Sequence, residues 1–402
     1  MRLLIIPLTG GVGLGPLTRC TAVANEAKNR GHEVQFLCGE YFGRITKKFG
    51  YMTQSAVECH PGNNLNIPPF RISDVAIALG WIDEKYFSSA VEREIKVIRC
   101  FKPDVIFTET QFSVNVSAQS ENIPWVATTS WADHPDFKSP LYTNEDTIKG
   151  FERGINNIFD IYAQRRIKDI CELSFMRANL KIAPIIPQMQ PELKVVPDVN
   201  YVGNLLSPEM ENDILTNRYD TKIILRKIKQ KLEQRKPTIY VYMSPGDIPP
   251  KVWISTLIKA FRNTEFNIIV TMAPLKTFTD KIPESENVIF LKSVQSKYVI
   301  DNSDIIITHG GANTVTSSLM SGKPMMIFPD MYAERDYNGR AVEKLGAGIN
   351  FRTEKFTPTD LLDNARKIMS DKKFTSNAKK IGNEMKKLGG SSRTLELIEN
   401  LQ

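Results

Sequence analysis

The chain is 402 residues long, with 42% hydrophobic and 24% charged residues. That length is too great for one ordinary domain and suits two of about 200 residues, and the composition is that of a soluble globular protein rather than a disordered or membrane one. No window approaches the roughly 18 to 20 uninterrupted apolar residues of a membrane span. Cys20, Cys38, Cys59, Cys100 and Cys171 are odd in number and form no Cys-x-x-Cys pair, which excludes a disulfide framework and a structural zinc site, so all five are expected to be reduced.

A net charge of +7 and a pI near 9.0 admit nucleic acid, an anionic membrane surface or an anionic substrate as partner. Lys and Arg lie along expected helices at 222–236 and 379–387 without aromatic interleaving, the pattern of solvated helix faces. No nucleic-acid partner is expected, and peripheral membrane contact stays open. The opening run Met1-Arg-Leu-Leu-Ile-Ile-Pro-Leu meets glycines at once, so it reads as a first strand rather than a secretory signal, and a cytoplasmic protein is expected.

Strand 2–8 leads through Thr9-Gly-Gly-Val-Gly-Leu-Gly-Pro16 into a helix at about 17–30, and Gly31-His-Glu33 precedes a strand at 34–38. This is a βαβ start. Pro16 stands where the third glycine of a dinucleotide fingerprint packs helix on strand, which argues against a dehydrogenase. A helix at 41–49 and an irregular stretch at 60–72 precede a long amphipathic helix at 84–101, and the strand 104–108 ends at Glu109. The strand 125–129 ends in Ser130-Trp-Ala-Asp-His134. A helical run is expected over 155–176 and a strand over 180–185, and the Pro-rich segment 187–208 marks a domain boundary.

The second half repeats the architecture: strand 238–243, turn Ser244-Pro-Gly-Asp247, helix 249–262, and strands at 267–272 and 288–291. Apolar Ile305-Ile-Ile307 then ends in His309, Gly310 and Gly311 and passes through Asn313 and Thr314 into a helix. Glycines let the backbone turn tightly against a ligand, and the first turn of a helix presents unpaired N–H groups with the positive end of the dipole behind them. The chemistry favours phosphate. A second strand, 324–328, runs into Pro329 and a polar turn Glu334-Arg-Asp-Tyr-Asn338, and helices are expected at 337–345, 357–370, 373–387 and 391–401.

The string from His309 to Asn338 resembles the nucleotide-sugar transferases of the UDP-glycosyltransferase superfamily. The resemblance implies an α/β fold of the GT-B type, two Rossmann-like domains facing each other across a cleft. It implies an N-terminal acceptor-binding domain (1–205), a C-terminal nucleotide-sugar-binding domain (206–385), and a final helix (386–402) packing back on the first domain.

In that family the His-x-Gly-Gly turn holds the diphosphate and an acidic residue followed by Gln holds the sugar hydroxyls. His309, Gly310, Gly311, Asn313, Thr314 and Glu334 match. Ser317 replaces a Glu that bonds the ribose, and Arg335 replaces the Gln, which points to a carboxylated or otherwise altered sugar. Ser244 and Gly246 are candidates for phosphate or acceptor contact, and Val294 for the base edge. The family's catalytic His is absent from the turn ending at Pro16, so Glu109, Asp133 and His134 are the replacement candidates.

The implied activity is a metal-independent, inverting transfer of a sugar from a UDP- or dTDP-sugar donor to a hydroxyl of a small natural product or lipid, with no cofactor. The alternatives are a catalytically silent homologue partnering an active transferase, and an NDP-sugar 2-epimerase.

Overall fold

The computed structural model describes residues 1–10, 13–60, 71–138, 145–206, 226, 228–243, 248–272, 285–291, 294, 296–329, 332–351 and 356–401. The chain divides into two compact units, Met1–Ser207 with Leu388–Gln402, and Pro208–Lys387.

The first unit runs β1 (Arg2–Pro7), α1 (Gly15–Asn29), β2 (Glu33–Cys38), α2 (Glu40–Lys48), β3 (Met52–Ser55), α3 (Ile72–Leu79), α4 (Glu84–Phe101), β4 (Val105–Glu109), α5 (Val114–Ser120), β5 (Trp125–Thr128), α6 (Glu145–Ile161), α7 (Glu172–Phe175), β6 (Leu180–Ala183) and β7 (Val199–Tyr201). All seven strands are parallel, in the order β3-β2-β1-β4-β5-β6-β7. Strands covered by helices on both faces read as unbroken apolar runs, and Leu3 to Ile6 are at most 1% exposed.

The chain fills one side of this sheet from β1 outward to β3, then returns to β4 and fills the other side. The loops after β1 and β4 therefore leave in opposite directions. Open α/β sheets bind ligands at such a reversal, outside the carboxyl ends of the strands.

The second unit repeats this with β8 (Thr238–Met243), α8 (Pro250–Phe261), β9 (Asn267–Met272), β10 (Val288–Leu291), α9 (Ser296–Asp301), β11 (Ile305–Thr308), α10 (Ala312–Met320), β12 (Met325–Ile327), α11 (Ala333–Lys344), β13 (Gly348–Asn350), α12 (Pro358–Ser370) and α13 (Lys372–Lys387). Its six parallel strands lie in the order β10-β9-β8-β11-β12-β13, so the reversal falls between β8 and β11. Trp253, Phe261 and Phe328 anchor the core under this sheet. The final helix, α14 (Gly390–Glu399), belongs to the first unit: the Gly390 amide donates to the Val202 carbonyl at 2.7 Å, and Glu399 meets His32 at 2.7 Å.

The fold class is the expected one, with local differences. The helical run expected over 155–176 is instead α6, which closes at Ala163 in the left-handed region (φ 52), and a separate short turn, α7. The strands β3 and β7 were not expected; β3 is a polar, largely exposed edge strand without an apolar run to signal it. Of the expected helix 222–236, only 226 and 228–232 are described as helical.

Candidate functional site

In the second unit, Thr308 closes β11 opposite Tyr242 of β8, and the chain leaves the sheet through His309, Gly310 and Gly311. Gly310 has φ +87, and a Cβ there would lie 2.8 Å from the Arg335 carbonyl oxygen and 2.9 Å from Ile327 Cγ2. Only glycine fits both the backbone angle and the close approach. Gly311 is the N-cap of α10 and supplies no capping side chain, so the positive end of the helix opens at the turn. Asn313 and Thr314 are half-buried in that first helical turn, and Ser317 is buried one turn further on.

His309 is 7% exposed, and its Nδ1 has no hydrogen-bond partner among the described residues. Burial, reinforced by the nearby Arg335 charge, pushes its pKa down to about 3, against an opposing pull from the Tyr242 main chain. The imidazole is therefore neutral at physiological pH. A buried polar nitrogen without a partner is costly. Here it stands beside an uncapped helix start, the arrangement in which an anion or its hydrogen-bonding oxygen supplies what is missing.

The stretch 334–338, expected as a polar turn, is the start of α11, which begins four residues earlier than expected. Glu334 and Asp336 fall in its first turn, where the dipole favours acidic side chains. Asn338, 2% exposed, donates from Nδ2 to the Gly310 carbonyl at 3.0 Å and to Glu334 Oε1 at 3.5 Å. The amide thus clips α11 onto the glycine turn and holds Glu334 beside it. Glu334 is exposed, and Arg335 is half-buried with its guanidinium 3.9 Å above the Tyr332 ring.

The structure therefore gathers His309, Gly310, Gly311, Asn313, Thr314, Glu334 and Arg335 around one turn. Val294 is buried just beyond β10. Ser244 and Gly246 lie outside the described residues. The sequence marks Asn338 only as part of a polar turn; its contact lies 28 positions away in the chain, where no local pattern signals it.

In the first unit, Glu109 closes β4 opposite Pro7 and is 3% exposed. Arg19 of α1 donates from Nε to Glu109 Oε1 at 2.8 Å and pairs with it again through the guanidinium, and the Thr128 hydroxyl donates to Oε2. Both carboxylate oxygens are engaged. The next residue, Thr110, takes the left-handed conformation (φ 58). This turns the chain so that Gln111 Oε1 accepts from the Thr9 amide and hydroxyl, each at 3.2 Å, at the end of β1.

His134 is 7% exposed and stacks on Trp131 at 4.4 Å. Its Nδ1 accepts from the Asp136 amide at 3.0 Å, and burial lowers its pKa from the usual value. A neutral ring that accepts at Nδ1 carries its proton on Nε2. Asp133 is half-buried in the 3-10 turn Trp131–Asp133, and its carbonyl accepts from the Ser174 hydroxyl at 3.1 Å. The strand ends thus hold all three proton-acceptor candidates, with Glu109 ion-paired and His134 hydrogen-bonded at one nitrogen.

The glycosyltransferase family 28 C-terminal domain matches residues 258–391, the stretch that carries both the glycine turn and the start of α11. An uncharacterized glycosyltransferase of Methanosarcina mazei is 23% identical over 406 residues, covering 97% of this chain and 96% of the relative. The NDP-glycosyltransferase YjiC of Bacillus subtilis is 29% identical over 144 residues, 35% of this chain and 36% of that protein. The chain is thus similar to glycosyltransferases along nearly its whole length, and most specifically over the stretch that holds the glycine turn.

Its fold is that of solved GT-B glycosyltransferases. The calicheamicin glycosyltransferase CalG4 superposes with a TM-score of 0.75 at 14% identity, over 99% of this chain and 97% of that one. The spinosyn rhamnosyltransferase SpnG superposes with a TM-score of 0.68 at 15% identity over 100% of both chains. Among the described residues, no helix is long and apolar enough to cross a membrane.

Proposed function

We propose that this protein is an inverting glycosyltransferase that moves a sugar from a UDP- or dTDP-sugar to a hydroxyl of a small-molecule acceptor. The observation that carries the reading is the buried Nδ1 of His309, without a hydrogen-bond partner among the described residues, beside the uncapped start of α10. The donor's diphosphate lies against this turn, with Asn313 and Thr314 in the first helical turn beside it and Glu334 accepting from hydroxyls of the sugar.

The acceptor oxygen forms its bond to the anomeric carbon from the face opposite the diphosphate. The carbon–oxygen bond to the diphosphate breaks, and the electron pair leaves with it. Preorganised amides and the helix dipole stabilise the developing charge, and one well-placed donor of this kind contributes roughly 3 to 4 kcal/mol to lowering a barrier. No metal enters this reading.

The acceptor's proton goes to one of Asp133, Glu109 and His134. Glu109 would have to loosen its hold on Arg19 or Thr128, and His134 would have to release the Asp136 amide. Asp133 stands half-exposed in the turn directly before His134.

The test is calorimetric titration of the full chain with UDP, dTDP and GDP, followed by incubation with the matching NDP-sugar. Binding of one nucleotide and slow release of free sugar support the reading. No binding by any of the three sinks it and favours a catalytically silent homologue; inversion at C2 of the sugar indicates an epimerase. Replacing the residue that takes the proton lowers transfer by about a hundredfold or more.

A further inference from the structure

A doubly charged leaving group docked at the glycine turn needs compensating positive charge, and His309 does not supply it. Its imidazole is buried and neutral, so it can hydrogen-bond an oxygen without adding a formal charge. The guanidinium whose field reaches this ring is that of Arg335.

Three contacts tie Arg335 to the turn independently of any titration. Its carbonyl oxygen lies 2.8 Å from where a Gly310 Cβ would sit, so the α11 backbone at this residue packs directly on the glycine. Asn338, one turn along the same helix, is hydrogen-bonded to the Gly310 carbonyl. The guanidinium is stacked on Tyr332, immediately before α11, which fixes where its charge stands and lowers the ordering cost of using it.

We infer that Arg335 is the residue that neutralises the leaving nucleoside diphosphate, and that it makes this site select a diphosphate over a monophosphate. The inference rests on the donor reading above and deepens it: the planar fork can bond two phosphate oxygens at once, the geometry at which Arg excels. As the bond to the anomeric carbon breaks, negative charge on the diphosphate grows, so the attraction strengthens along the reaction and favours the transition state over the bound donor. The position is then specific for the pyrophosphate, whatever sugar is attached.

The test is titration calorimetry on the full-length chain with UDP, dTDP and their monophosphates, comparing wild type, Arg335→Gln and Arg335→Lys, with thermal melts confirming that each variant is folded. For the diphosphate that wild type binds, Arg335→Gln weakens affinity tenfold or more while the monophosphate loses at most about threefold, collapsing the preference between them. Arg335→Lys keeps the charge and recovers at least half of that loss on a logarithmic scale.

If wild type binds a diphosphate and Arg335→Gln retains the same preference over the monophosphate, the inference is wrong and the donor reading stands. If wild type binds neither, the donor reading fails and takes the inference with it. If Arg335→Gln binds UDP like wild type and loses only discrimination between UDP-glucuronate and UDP-glucose, Arg335 reads a sugar carboxylate and the assignment to the diphosphate is overturned.

Discussion

Replacing Glu94 by glutamine removes a buried carboxyl whose ionisation opposes folding. Glu94, on α4, is 3% exposed and accepts from Ser113 Oγ at 2.5 Å, Ser117 Oγ at 2.5 Å and Gln111 Nε2 at 3.3 Å. Those three donors favour the charged form, yet burial outweighs them and pushes the pKa up from 4.5 to about 7. A group whose pKa is higher in the folded than in the unfolded chain lends stability that is complete below the unfolded value and is lost as pH rises through the folded one.

The window is therefore pH 4.5 to 7. A shift of that size corresponds to about 3 kcal/mol at about 1.4 kcal/mol per unit. Glutamine has nearly the same shape and no charge, and the two serine hydroxyls can rotate to serve its amide. The stability of Glu94→Gln relative to wild type should thus rise by about 3 kcal/mol between pH 4.5 and 8, roughly 6 to 12 °C in the melting temperature of a unit this size. The assay is thermal unfolding followed by fluorescence, since Trp81 packs edge-on against Phe112 next to Gln111 and Ser113. Taking the variant-minus-wild-type difference at each pH cancels every other titrating group. A difference that stays flat from pH 4.5 to 8 would refute the reasoning.

His309, held at about 3, should show no titration of its ring above pH 4 by NMR of labelled histidine. The unfolded chain takes up that proton near pH 6.5, so the site costs about 2 kcal/mol of stability by pH 5, and a midpoint near 6 would contradict this. Gly310→Ala forces a side chain into a left-handed position against the Arg335 backbone, and about 2 kcal/mol or more of stability together with nucleotide binding should be lost in a melt and a titration. Arg19→Ala leaves the Glu109 carboxylate buried without its cation and should cost about 3 kcal/mol, most of it recovered in the double variant Arg19→Met, Glu109→Leu. Asn338→Ala orphans the Gly310 carbonyl and frees Glu334, and a loss of about 1.4 kcal/mol should read as a tenfold weaker nucleotide affinity; unchanged affinity would show that the clip is dispensable.

Contacts across long separations also explain why the surroundings of the proton-acceptor candidates are less legible in the sequence than the glycine turn. The glycine turn is contiguous, and its glycines follow from local backbone need: Gly310 at φ +87 and a helix start at Gly311 belong to neighbouring residues. The proton-acceptor candidates lie at the end of β4 and beyond β5, and their partners come from elsewhere in the chain. Glu109 is held by a side chain 90 positions earlier, and Gln111 joins Thr9, just beyond β1, to Glu94 of α4 and to Ser113, the residue before α5.

What the sequence determined by itself is the two-unit α/β class and the glycine turn, because buried parallel strands write themselves as unbroken apolar runs and a tight strand-to-helix turn writes itself as glycine. Tertiary structure alone decided the strand order that puts the reversals between β1 and β4 and between β8 and β11. It decided that α11 starts at Ala333, packed against Gly310, and that Arg19 is committed to Glu109. Those outcomes depend on which surfaces meet across long separations in the chain, and desolvation on meeting is what turns an ordinary Glu94 or His309 into a perturbed one.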